Sequence, residues 1–174
     1  MTTASRRQIA GVVLTACTVI SACSPTENGS AVPIPIEHST TAPGNDVFAG
    51  LNACRVIDDL LDDQGFNPGE NKTARNECVA SKLEYGGIGL ALDSTQGIAE
   101  LAKRSPDAVE LKINGRKALQ TPTNIGTGCA VALEVDQHAR AMVTVSPVGS
   151  SDLDACAEAR RYAEELEPKL PEAR

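Results

Sequence analysis

The sequence predicts an α+β domain: an antiparallel sheet of about five to six strands, flanked by N- and C-terminal helices and closed by two disulfides. Three observations lead there. Apolar residues recur at helical spacing near Asp46–Gly65 and again near Ser151–Leu166, while the region between alternates at period two or carries turn signals. Of six cysteines, Cys17 and Cys23 lie in an N-terminal export region, which leaves an even four for the domain. With two Phe, two Tyr and no Trp, the domain has little aromatic bulk, so two bridges would supply a large share of its stability.

The elements follow in chain order. Val47, Phe48, Leu51, Cys54, Ile57, Leu60 and Leu61 mark one face of a helix over Asp46–Gly65, with Gly65 suited to its C-terminal cap. Cys78–Glu84 and Ile88–Leu92 read as strands. Around the junction of these two, "YGGIGLALD" holds Gly86, Gly87 and Gly89 but lacks the third glycine of a dinucleotide fingerprint, and its glycines sit between two strands instead of before a helix, so they are read as a turn. Thr95–Arg104 reads as a short helix stopped by Pro106, and Val109–Ile113 with Arg116–Gln120 as a hairpin around Asn114-Gly115, a favoured type I′ pair. "CAVALEV" (Cys129–Val135) and "AMVTVS" (Ala141–Ser146) flank a polar turn over Asp136–Arg140, with Cys129, Val131, Leu133 and Val135 on one face. The last helix, in "SSDLDACAEARRYAEEL", is expected to start at a Ser151 cap and to keep Leu153, Cys156, Ala157, Ala163 and Leu166 near one stripe.

Strand pairing brings the neighbourhood of Ser146 beside Cys129, a short turn away from the helix bearing Cys156. A similar argument takes Cys54 toward Cys78. The expected bridges are therefore Cys54–Cys78 and Cys129–Cys156; the competing pattern joins Cys54 to Cys156 and Cys78 to Cys129, stapling the terminal helices directly. No metal site is expected, because the four cysteines form no C-x-x-C pair and have no histidine at ligand spacing.

Upstream, Arg6 and Arg7 precede "QIAGVVLTACTVISA", an apolar run too short to span a bilayer of about 30 Å. It reads as an export signal over residues 1–22. "ISAC" resembles a bacterial lipobox: Ile20, small Ser21 and Ala22, then Cys23, with cleavage between Ala22 and Cys23 and lipid on the Cys23 thiol. "SRRQIA" is also similar, in part, to the opening of a twin-arginine signal. Residues 23–45 then form the lipidated cysteine and a flexible tether rich in Ser, Thr, Pro and Gly, of roughly 25 Å root-mean-square span. A single globular domain occupies 46–174, and the protein is expected at the extracytoplasmic face of the cell membrane.

The formal net charge is −7; removing residues 1–22 takes two of the 16 basic residues and none of the 23 acidic ones, giving −9. Such a surface repels phosphate backbones and anionic headgroups, so nucleic acid is not an expected partner and membrane attachment falls to the lipid. The only histidines are His38, in the tether, and His138, in a hairpin turn, which gives a histidine-based triad little to draw on. No G-x-S-x-G elbow or phosphate loop is present, and Asp58, Asp59, Asp62 and Asp63 read as the solvated side of a helix, with Ca²⁺ recruitment as the sharper alternative. No catalytic residue, metal or cofactor is assigned. The expected function is a binding or interaction module in the cell envelope, for a small molecule, lipid or envelope protein. The alternatives are a structural envelope component and a carboxylate-based hydrolase. A deep apolar cavity would favour a small ligand, a flat exposed patch a protein partner, and clustered carboxylates with perturbed pKa values an enzyme.

Lipobox, tether, "NACRVIDDLLDDQGF" (Asn52–Phe66), Cys78, "NGRKAL" (Asn114–Leu119), "GCAVALEV" (Gly128–Val135) and "DACAEARRYAEEL" (Asp154–Leu166) together resemble the actinobacterial lipoproteins classed as domain-of-unknown-function 3558. Where that family often carries a tryptophan after the second cysteine, this chain has Val79 and Ala80. The resemblance implies an envelope lipoprotein and brings no settled activity with it.

Overall fold

Asn52 sets the start of the first helix. Its side chain accepts the Arg55 N–H at 3.0 Å, so α1 runs Ala53–Leu60. The structure, a computed structural model, describes residues 46–124, 126–149 and 152–173. The export region with Ala22 and Cys23, the tether with His38, and Ser151 lie outside the described residues.

The predicted helix over Asp46–Gly65 is thus shortened at both ends. Gly50, at φ +86°, separates α1 from a hydrogen-bonded turn around Phe48, and Asp63 and Gly65 turn the chain left-handed beyond Leu61. Phe48 is nonetheless 2% exposed. Of the residues the apolar spacing marked, Phe48, Ile57, Leu60 and Leu61 are buried and Val47, Leu51 and Cys54 only partly so; the spacing missed buried Ala53 and Val56 and overstated how much is helical.

Six strands follow: β1 (Glu77–Lys82), β2 (Gly86–Asp93), β3 (Val109–Ile113), β4 (Arg116–Pro122), β5 (Cys129–Asp136) and β6 (Ala139–Pro147). They form one antiparallel sheet in the order β1-β2-β6-β5-β4-β3. The helix α2 (Ile98–Arg104) carries the chain from β2 across to the far edge, and the β3–β6 meander then returns to set β6 beside β2. Asn114 and Gly115 take positive φ as a type I′ turn requires. The β5–β6 turn is tighter than expected, with only Gln137 and His138 between the strands.

One face of the sheet holds the main core. Cys78, Ala80, Ile88, Leu90, Leu92, Val131, Leu133, Val143 and Val145 point to the side where α1 covers β1 and β2, and where α3 (Ala155–Leu166) covers β5 and β6. Asp154, not Ser151, caps α3, accepting the N–H groups of Cys156 and Ala157 at 3.0 Å. The buried stripe is Ala155, Ala159, Tyr162, Ala163 and Leu166, which corrects the expected placement of Ala157: that residue is exposed. Three alanines let the helix lie close to the strands, and the Tyr162 hydroxyl is satisfied by Gln64 at 3.0 Å. The bridges present are Cys54–Cys78, tying α1 to β1, and Cys129–Cys156, tying β5 to α3, each with Cα atoms 5.0 Å apart.

Tyr85 packs edge-on against Phe66 and donates to Glu158 at 3.0 Å, and Arg161 donates to the same carboxylate at 2.8 Å. The Arg161 hydrogen bond holds Glu158 below the usual carboxylate range, while burial, reinforced by Tyr162, pushes the Tyr85 hydroxyl far above its ordinary value of 10.0. A raised folded-state value means stability that is complete below about pH 10 and lost as pH climbs beyond it. Thermal melts at rising alkaline pH are therefore expected to fall more steeply for the parent than for Tyr85→Phe; parallel curves would remove Tyr85 as the cause.

Candidate functional site

The other face of the sheet is only partly covered. A helix of the seven residues of α2 is about 10 Å long and 10 Å across, whereas six strands at about 4.8 Å spacing span about 24 Å. Leu101 of α2 packs on Leu119 of β4 and Ala132 of β5, with Ile98, Ala108 and Met142 around it. No helix among the described residues packs on this side of the half built from β1, β2 and β6.

Its floor consists of small side chains: Gly87, Gly89 and Ala91 of β2, with Thr144 and Ser146 of β6 opposite. Val79 of β1, 52% exposed, stands at the outer side. The glycines read as a turn are therefore in strand, and only Leu83–Tyr85 makes the turn. The alternation G-I-G-L-A-L explains this, because Ile88, Leu90 and Leu92 go to the core and leave the small residues outside.

Neither Gly87 nor Gly89 is demanded by the backbone. Both lack positive φ, and an added Cβ would meet its nearest neighbours at 3.7 Å, an ordinary contact. Each costs strand stability of about 0.5–1 kcal/mol relative to alanine. A glycine in a strand interior often marks a bulge, a tight bend or a close approach of another group to the backbone, and the register through Gly87 and Gly89 is continuous, with no bulge.

Walls rise on two sides. One is the segment Glu70–Asn76, pinned where Asp58 accepts the Gly69 N–H at 2.7 Å and packed so tightly that a Cβ on Gly69 would lie 2.7 Å from the Cys78 Sγ. The other is the Asp93–Gly97 turn leading into α2, where Asp93 accepts from the backbone of Thr95 and Gln96, and Glu100 accepts the Gly97 N–H at 2.9 Å. These interactions start α2 at Ile98 and not at Thr95. Two contiguous depressions result, of about 320 and 360 Å³, sharing Glu77, Ala91 and Met142. Beneath the second, Arg140 is 6% exposed. It donates to the Gly97 carbonyl at 2.9 Å and reaches Asp93 at 3.4 Å, and its buried Nε has no partner among the described residues. Burial lowers the Arg140 pKa from its usual value, with Asp93 opposing that shift. A third recess of about 550 Å³ lies on the far flank of α2, but Glu110, Lys112, Lys117 and Glu134 wall it with long mobile side chains, and Lys117 already approaches Glu134 at 3.8 Å.

Both carboxylates with a resolved shift, Glu100 and Glu158, move downward, the direction opposite to a general acid. His138 lies in the β5–β6 turn, 3.6 Å from Glu100. Of the acidic run on α1 and beyond, Asp58 serves as the loop pin, and no group of three His, Cys, Asp or Glu arranged to hold a metal occurs among the described residues. No described helix is long and apolar enough to cross a membrane.

Of the residues singled out from sequence, Cys54 and Cys78 lie under the groove's outer wall, while Cys129 and Cys156 staple the opposite face. Sequence reasoning expected a cleft or an exposed sheet face but did not place it over β1, β2 and β6. The alternation of small and large residues in β2 was its readable signal; nothing in the sequence marked Arg140 as buried. No family model, curated protein or solved structure matches the chain.

Proposed function

We propose that the protein is an extracytoplasmic envelope lipoprotein, anchored through lipid on Cys23, whose domain binds an envelope protein in the bare groove over β1, β2 and β6. The motif resemblance to the domain-of-unknown-function 3558 lipoproteins and the lipobox support the anchoring half of this reading. The observation that carries the binding half is the pair of glycines, Gly87 and Gly89, kept in a strand interior although a Cβ would fit. The groove is open and shallow, bounded by loops, with backbone close to its surface. That shape suits an extended segment or loop of a protein better than a small molecule, which is held in an enclosed, mostly apolar pocket.

Anchoring has a direct test. Each buried CH₂ of an acyl chain contributes about 0.8 kcal/mol, so Cys23→Ala is expected to move the protein from the detergent-requiring membrane fraction to the soluble one. Processed mutant protein that still needs detergent for release would sink the lipobox reading.

For binding, a photo-crosslinking side chain at Thr144 is expected to give one discrete adduct in intact cells. Gly89→Val, which fills the floor at a site where a Cβ is tolerated, is expected to abolish that adduct with little change in melting temperature. An adduct that persists in Gly89→Val, or the same adduct from a position on the opposite face of α3, would remove the groove as the binding surface.

A further inference from the structure

We propose that a second copy of this chain pairs with the open edge of the sheet, β3 against β3 about a twofold axis at Leu111. The sheet has two edges, treated differently by the fold. At β1 the chain covers its own edge: Asn67 donates to the Ser81 carbonyl at 2.8 Å, and Glu70 and Val79 exchange both backbone hydrogen bonds at 2.9 and 3.0 Å. At β3 nothing comparable occurs among the described residues. Val109, Glu110 and Lys112 are exposed, Val109 at 59%.

Register defines which groups the edge offers. The two-residue turn Asn114-Gly115 makes Ile113 and Arg116 a hydrogen-bonded pair, so Leu111–Ala118 and Val109–Gln120 are hydrogen-bonded pairs too. Glu110 and Lys112 fall between them. Their N–H and C=O groups therefore point away from β4, toward solvent. A twofold axis at Leu111 sets Glu110 opposite the partner's Lys112 and Lys112 opposite the partner's Glu110, each pair exchanging two backbone hydrogen bonds. The required alternation of bonded and non-bonded pairs is met along the whole strand.

The side chains agree with that register. Within one copy Lys112 stands opposite Lys117, an unfavourable like-charge pairing, and Lys117 turns toward Glu134. Neither Glu110 nor Lys112 is in an ion pair among the described residues. The twofold register gives each of them an opposite charge. Sliding by two residues places Glu110 against the partner's Glu110, or Lys112 against the partner's Lys112, so the same charges that block indiscriminate edge pairing select this one. On the core side, Leu111 meets the partner's Leu111, and exposed Val109 comes beside the partner's Ile113. The two six-stranded sheets become one.

Charge exchange tests this, using the full chain with Cys23→Ala so that no lipid contributes to association. Sedimentation equilibrium is expected to show a monomer–dimer equilibrium. Glu110→Lys and Lys112→Glu, each creating two like-charge pairs, are expected to weaken it by about tenfold or more, and the double variant to restore it. Leu111→Cys should oxidise to a covalent dimer, because a non-bonded antiparallel pair has Cα atoms about 4.5 Å apart. Val109→Cys, far from its own copy in this register, should not. A monomer at every accessible concentration overturns the proposal, as does a dimer indifferent to the single charge changes or one cross-linked equally well through Val109→Cys.

Discussion

Replacing Cys129 and Cys156 together by alanine is expected to lower domain stability by about 3 kcal/mol, and replacing Cys54 and Cys78 together by a similar amount. The bridges close segments of nearly equal length, with sequence separations of 27 and 24, so the loss of chain-entropy restraint is nearly the same. What differs is the element left untethered. The twelve-residue α3 keeps five buried residues against β5 and β6 without its bridge, whereas the eight-residue α1 keeps four and also anchors the Gly69 wall through Asp58. Removal of Cys54–Cys78 is therefore expected to expose α1 and the groove wall to local opening, and removal of Cys129–Cys156 to lower the global transition. Amide hydrogen exchange measures the first effect and denaturant unfolding the second. Equal protection of α1 in both variants would contradict this division.

Gly86 and Gly87 are adjacent, and substitution is expected to have opposite outcomes. Gly86 has φ +121°, and a Cβ there would lie 2.1 Å from the Ser146 carbonyl oxygen, a backbone atom held in the β2–β6 ladder. Gly86→Ala must either open that end of the ladder or strain the turn at Tyr85, at a cost of about 3 kcal/mol. Gly87→Ala meets only ordinary contacts and regains strand propensity, so it is expected to be neutral or stabilising by about 0.5 kcal/mol. Melting temperatures of the two variants decide the matter. A Gly87→Ala variant as damaged as Gly86→Ala would mean that the fold itself needs that glycine, and the groove would lose its main support.

These neighbours also show where sequence reading stops. Gly86, Gly87 and Gly89 look alike in a sequence and suggest a turn; only the ladder with β6 separates the one required by close backbone approach from the two that leave a floor bare. In α3 the apolar spacing was legible, yet the choice of Ala155 and Ala159 over Ala157 for the buried side depended on where β5 and β6 lie beneath the helix. The continuous burial from Cys129 to Leu133 arises for a related reason, since α3 covers one side of β5 and α2 the other.

By itself the sequence determined the local chemistry: alternation that makes strands, the Asn114-Gly115 turn, apolar spacing at both ends of the domain, and four cysteines for which it favoured sequential pairing, the pattern the structure has. Such features depend on contacts a few residues apart, which spacing records directly. Tertiary structure alone decided which half of the outer face α2 leaves uncovered, that Arg140 is buried beneath the Asp93–Gly97 turn, and that one sheet edge is sheltered while the other is open. These depend on where the crossover from β2 to β3 lays a short helix on a wide sheet, a long-range packing outcome that the local pattern does not contain.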